Sequence, residues 1–222
     1  MRCNTTYHEE NGRKDKEKVY GILSNYYITM DLLENEVELV EKLCERIKAG
    51  EEKAKMRVLD VGCGTGKLSV YISKKTGCDV TGIDTEQRRI EKARKKSFGK
   101  VEFEVQSAEE MAFANDTFDA VVSLKALHEM ANPKEVLEES NRVLKSDGGI
   151  LLIDWVGGAA KTESHAHALK YFTPERLEGV LLDTGFVDVR VELNKEGELM
   201  LVEGRKNKKY RKTFKRRKNV QV

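Results

Sequence analysis

Between Lys18 and Ile47 the apolar positions recur at helical spacing, with Val37, Val40, Leu43, Cys44 and Ile47 on one face, until Gly50 punctuates the pattern. A charged loop follows, and the period changes. "RVLDV" (57–61) is a short apolar run ending at a glycine loop and reads as a buried strand. "GKLSVYISKKTG" reads as a helix, with Leu68, Tyr71 and Ile72 on one face and Gly77 as its stop. "DVTGID" is a second strand. "TEQRRIEKARKKSFG" is a charged helix, with Thr85 expected as N-cap and Gly99 as stop. "VEFEVQS" and "FDAVVSL" are strands three and four. "NPKEVLEESNRVLKSDGG" is a helix with Asn132 as cap, Pro133 in its first turn and Gly148 at its end. "ILLIDWV" is strand five, "TPERLEGVLLDTG" a further capped helix, and "FVDVRVEL" and "ELMLVEG" a closing pair of strands.

Strands alternating with helices predict an α/β sheet, parallel through its first five strands. The turn "NKEG" between the last two strands is too short for a parallel crossover, so they are expected as an antiparallel hairpin. A simple doubly wound dinucleotide fold does not need that ending.

The loop after strand one, in "VLDVGCGTGKLS" (58–69), has glycines at 62, 64 and 66. A dinucleotide fingerprint wants its third glycine at 67, where this chain has Lys67, and a phosphate loop wants GxxxxGK[ST], which the spacing also fails. In open parallel sheets, ligands sit beyond the carboxyl ends of the strands near the switch point. Asp84 ends strand two, where a carboxylate can accept both hydroxyls of a ribose. Loop and carboxylate together describe an adenosine-like ligand without a bridging pyrophosphate.

Here the chain resembles the class I S-adenosylmethionine-dependent methyltransferases, in particular the ubiquinone/menaquinone-biosynthesis-methyltransferase-like group. "VLDVGCGTGKLS" resembles their first motif and "VTGID" their acidic second-strand motif. "VQSAEEMAFANDTFDAVVSLKALHEM", "RVLKSDGGILLIDW" and "YFTPERLEGVLLDTGFVDV" resemble their later segments in order. The resemblance spans about residues 55–204. It implies a Rossmann-like α/β fold: a seven-stranded, mostly parallel sheet with an antiparallel last strand and helices on both faces. It further implies S-adenosylmethionine as cofactor, S-adenosylhomocysteine as product, and a small-molecule methyl acceptor. Residue by residue, Gly62, Cys63, Gly64 and Gly66 form the loop at the methionine end, and Asp60 braces it. Asp84 binds the ribose with Thr85 beside the adenine, and Ser107, Ala108 and Glu109 lie on the adenine side. Ser123 and Leu124 lie near the sulfonium. The family often has Asp where this chain has Ser107, so the usual adenine contact falls to a hydroxyl or to a neighbouring carbonyl. His128, in "ALHEM", is the candidate base or orienting group, with packing against a helix start as the alternative; Lys125 and Glu129 are weaker candidates. Tyr26, Tyr27, Asp154 and His165 are candidate acceptor contacts, and no metal site is expected from the "HAH" of 165–167.

Composition adds an asymmetry. Residues 205–222 hold ten Lys/Arg and no acid, leaving 30 Lys/Arg against 38 Asp/Glu elsewhere, so an acidic body carries a basic tail. A nucleic acid is therefore a second candidate partner. The expected organisation is a polar, flexible N-terminus (1–16), a helical cap (17–50), the cofactor-binding domain (51–204) and the basic tail (205–222). No apolar run is long enough to span a membrane, no secretory signal is visible, and four scattered cysteines suit a reducing cytoplasm rather than a disulfide frame. The rival readings are an RNA methyltransferase and a non-catalytic cofactor-binding module.

Overall fold

The computed structural model describes residues 31–48, 56–159 and 168–208. The polar N-terminus, Tyr26, Tyr27, His165 and most of the basic tail lie outside the described residues. In chain order the elements are α1 (Glu34–Lys48), β1 (Arg57–Val61), α2 (Lys67–Thr76), β2 (Asp79–Asp84), α3 (Gln87–Ser97) and β3 (Glu102–Val105). They continue with β4 (Phe118–Leu124), α4 (Pro133–Val143), β5 (Leu144–Trp155), α5 (Pro174–Asp183), β6 (Phe186–Leu193) and β7 (Leu199–Lys206).

The seven strands form one sheet in the order β3-β2-β1-β4-β5-β7-β6. β1 pairs in parallel with β2 on one side and β4 on the other, which puts the switch point at its carboxyl end. β7 runs antiparallel between β5 and β6, so the expected hairpin closes the sheet, with its last strand inserted rather than added at the edge. β1 has no polar alternation because both of its faces are covered. Val58, with Val80, Val122 and Ile153, packs beneath α1, α2 and α3. Leu59 and Val61, with Ile83, Val121 and Leu152, pack against α4 and α5. Each fully buried Leu or Ile contributes roughly 1.5–3 kcal/mol to holding these layers.

α1 buries Leu39, Val40, Leu43 and Ile47. Its polar flank is fastened twice. Arg46 pairs with Glu192 at 2.6 Å and with Glu203 at 3.1 Å, while Lys75 of α2 pairs with Glu41 at 2.9 Å.

Three boundaries differ from the sequence expectation. Thr85 is not the cap of α3; Glu86 holds that position without a side-chain bond. The cause is Asp84, whose Oδ1 accepts the Glu86 amide at 2.9 Å and so organises the turn that a threonine hydroxyl would have capped. The same helix ends on Phe98 at φ 50°, one residue before Gly99. The helix expected to end at Gly148 stops at Val143, and β5 begins directly at Leu144, pairing with Phe118. Asn132 sits at the cap position of α4 but makes no capping bond, whereas Thr173 caps α5 by accepting the Arg176 amide at 3.3 Å.

Candidate functional site

The carboxyl ends of β1, β2 and β4 open onto a cavity of about 520 Å³. That lies in the range of small-molecule sites, and it falls at the switch point where such sites form. The glycine loop is one wall. Gly62 turns the chain out of β1 at φ 70°, and a Cβ there would lie 2.5 Å from Ala126 Cβ, so the loop after β4 needs this glycine to approach. Gly64, at φ 54°, differs: a Cβ built there would meet no protein atom within 4 Å, and the residue lines the cavity. Cys63 also lines it and donates its amide to Ile83 O at 2.9 Å; burial pushes its thiol well above the usual range.

Asp84 joins loop and cavity. Its Oδ2 accepts the Gly64 amide at 2.9 Å while its Oδ1 holds Glu86, which leaves each oxygen a further lone pair. Thr85, Ser107, Ala108, Glu109 and Leu124 also line the cavity. Ser107 Oγ accepts the Glu109 amide at 3.1 Å, and Glu109 Oε1 accepts the Asn132 amide at 2.9 Å. Arg142 pins this loop from behind by donating to Met111 O at 2.9 Å and Phe113 O at 2.7 Å.

Five expected site residues, Asp154 among them, stand off the cavity. Gly66 packs against the Phe103 ring. Ser123 is buried and donates to Val61 O at 2.8 Å, which ties β4 to β1. Asp60 is buried behind the loop. Ser69 Oγ donates to its Oδ2, while its Oδ1 has no hydrogen-bond partner among the described residues. His128 is also buried, and the cavity is lined instead by its neighbours Lys125, Ala126, Glu129 and Met130. Asp154 grips it: Oδ1 meets His128 Nδ1 at 2.6 Å, and Oδ2 accepts the His128 amide at 3.1 Å. His128 Nε2 lies 3.2 Å from Glu129 Oε1, and Tyr171 packs edge-on to the imidazole at 4.9 Å. The arrangement is a chain, Asp154–His128–Glu129, whose outer carboxylate reaches the cavity.

Lys67, Arg89, Ala131 and Val136 complete the lining and were missed in the sequence. Lys67 carried a signal, being the residue after the third glycine, but it served only to exclude other fingerprints. Val136 lies on a helix face whose apolar pattern is indistinguishable from core.

Burial pushes the Asp60 carboxyl up to about 7, against the Ser69 hydrogen bonds that lower it and with the Asp84 charge raising it further. The unfolded chain would release that proton near pH 4. From about pH 4 to about 7 the folded state therefore binds more protons than the unfolded one, and Asp60 takes stability away as pH rises. The stability of Asp60→Asn relative to the parent should accordingly climb across this window and level off above it. Urea unfolding at stepped pH measures this; a constant difference would mean that Asp60 is ionised throughout.

A family model described as a methyltransferase domain matches residues 52–215, and the chain belongs to that family. The fold and the loop place it with the class I S-adenosylmethionine-dependent methyltransferases, for which S-adenosylmethionine is the cofactor. Among curated relatives, methyltransferase GfsG of Streptomyces halstedii is 32% identical over 123 residues, covering 53% of this chain and 43% of the relative. The demethylmenaquinone methyltransferase of Staphylococcus aureus is 29% identical over 149 residues, covering 64% and 62%. The chain spans less than half the length of the first of these. A S-adenosylmethionine-dependent methyltransferase from Aquifex aeolicus superimposes with a TM-score of 0.65 at 25% identity, covering 81% of this chain and 97% of that one.

The residues present fit that cofactor. The open space at Gly64 is where a ligand can approach the backbone, and Asp84 keeps lone pairs for hydroxyls. Among the described residues no cluster of His, Cys, Asp or Glu could hold a metal ion, and no helix is long and apolar enough to cross a membrane.

Proposed function

We propose that this chain transfers a methyl group from S-adenosylmethionine to a small-molecule acceptor. The observation that carries the reading is Asp84, which grips the glycine loop through Gly64 while lining the cavity at the switch point. When bound, S-adenosylmethionine supplies a methyl already activated by its sulfonium. What remains for the protein is positioning, which can supply much of the barrier reduction. Asp84 holds the ribose; Thr85, Ser107, Ala108 and Glu109 flank the adenine; Gly62, Cys63, Gly64 and Leu124 line the amino-acid end. Asp60 and Gly66 shape the loop from behind it. On the acceptor side, Glu129 is the group that meets the acceptor. His128 acts through it as a positioning residue, kept in one orientation by Asp154. Tyr26, Tyr27 and His165 stay in this proposal as acceptor contacts outside the described residues. Cys44, Cys63 and Cys78 are buried free thiols, a usage that suits a reducing compartment, and we assign the activity to the cytoplasm.

The basic run of 205–222 favours one rival, a nucleic-acid acceptor. One experiment separates the readings: incubate the protein and labelled S-adenosylmethionine with fractionated extract, with and without nuclease. Label in a nuclease-resistant small molecule is expected, and Glu129→Gln should lower it without weakening cofactor binding. Label lost to nuclease would move the acceptor to RNA or DNA. Cofactor binding with no transfer in any fraction would leave a binding module.

A further inference from the structure

The solvent face of α3 carries one sign of charge along its whole length. Ile90, Ala93 and Ser97 turn inward. Arg88, Lys92 and Lys95 are exposed on the opposite side, one above another at helical spacing. The other cations of this helix have partners. Arg89 pairs with Glu86 at 2.7 Å, Lys96 pairs with Asp31 at 2.6 Å, and Arg94 Nη2 donates to Phe103 O at 2.6 Å. The side chains of Arg88, Lys92 and Lys95 have no ion pair or hydrogen bond among the described residues.

Helix stability does not account for this row. The first turn of α3 holds no acid, so Arg88 stands unmatched at the positive end of the helix dipole. Like charges three and four residues apart also repel. The end of the helix shows a second cost. Phe98 lies at φ 50°, in the left-handed region that bulky residues rarely adopt, although Gly99 follows it at φ 77°. It is 89% exposed, so packing does not offset that strain. The Lys96–Asp31 pair sets the segment before α1 beside the last turn of α3, and Leu33, two residues on, is 52% exposed.

We propose that this face docks the chain on an anionic lipid bilayer, with Arg88, Lys92 and Lys95 against the headgroups and Phe98 and Leu33 in the acyl boundary. Cations are drawn to such a surface, and apolar side chains beside them enter it, as in helices that lie on membranes rather than cross them. Two features favour lipid over nucleic acid. The row stands on the outer ridge of a surface helix, whereas single strands are tracked along a charged groove. An exposed leucine gains from acyl chains but offers a base no stacking face. The inference is independent of the cofactor reading, because none of these five residues lines the cavity.

The test uses the full chain and vesicles of phosphatidylcholine with and without phosphatidylglycerol. Sedimentation should show binding to the anionic vesicles alone, weakened by salt. Arg88→Gln, Lys92→Gln and Lys95→Gln combined should reduce that binding about a hundredfold, at roughly fivefold per charge. This variant keeps the basic run of 205–222, so undiminished binding would assign the attraction to that run and overturn the proposal. A parent that ignores both kinds of vesicle overturns it as well. Phe98→Trp reads insertion directly. Its fluorescence should be quenched by anionic vesicles with brominated acyl chains, beyond the level that Trp155 gives in the parent, and absence of that quenching sinks the docking mode. Loss of polyuridylate binding in the triple variant, with vesicle binding intact, would give the face to nucleic acid instead.

Discussion

Replacing Asp84 with alanine is expected to weaken S-adenosylmethionine and S-adenosylhomocysteine by roughly 1.5–3 kcal/mol, about ten- to a hundredfold. The carboxylate stands at the end of β2 and is 9% exposed, so its bonds are little screened by water. It holds the Gly64 amide on one oxygen and the Glu86 amide on the other, each at 2.9 Å. Alanine therefore removes the acceptors for the ligand hydroxyls and also releases the loop that must approach the ligand. Asp84→Asn keeps one acceptor oxygen and should fall between parent and alanine. Calorimetry measures all three. Unchanged affinity in a folded Asp84→Ala protein would remove this residue from the site.

A second large effect is expected at Gly62. Alanine there meets two separate penalties: the left-handed backbone, at φ 70°, and a Cβ that would lie 2.5 Å from Ala126 Cβ and 3.2 Å from Met130 Cε. Strain and overpacking each cost roughly 1–3 kcal/mol, so Gly62→Ala should lose several kcal/mol of stability. Gly64→Ala is the matched comparison. It has similar backbone strain at φ 54° but open space around the new methyl, so its stability loss should be the smaller while its cofactor affinity drops, because the methyl occupies cavity space. Urea unfolding and calorimetry on the pair read both quantities. Equal stability losses would mean that the approach of Ala126 to the loop contributes nothing.

The parts of this molecule that could be read from the sequence are those encoded by local pattern. β1 was legible because a strand covered on both faces shows an unbroken apolar run, and the glycine loop because its residues must satisfy the backbone before any ligand arrives. Asp84 was legible as the acidic end of β2, but its second role was not: by accepting the Glu86 amide it moved the start of α3 past Thr85. Glu36 carries no signal of its own in the sequence. Its complete burial depends on Lys67 and Lys125, which lie far along the chain and reach it only in the folded protein. His128 was legible as a residue after strand four. That Glu129 faces the cavity while His128 lies behind it is set by the short helical turn Leu127–Glu129 and the grip of Asp154, neither of which has a periodic signature.

The place of β7 bears on how the chain reaches this state. β7 pairs with β5 from Gly149↔Arg205 to Trp155↔Leu199 and with β6 on its other side, so β6 joins the sheet only through a strand made after it. Closing the β5–β7 pair brings together residues separated by the whole of α5 and β6, the kind of non-local contact that slows folding. During synthesis, β5 would present an open edge and β6 would have no neighbour until Leu199–Lys206 emerged. An unpaired edge is a template for pairing with another chain. The nascent chain is thus most exposed to misassembly in the interval between β6 and β7, and a chaperone that shields strand edges would act to greatest effect there.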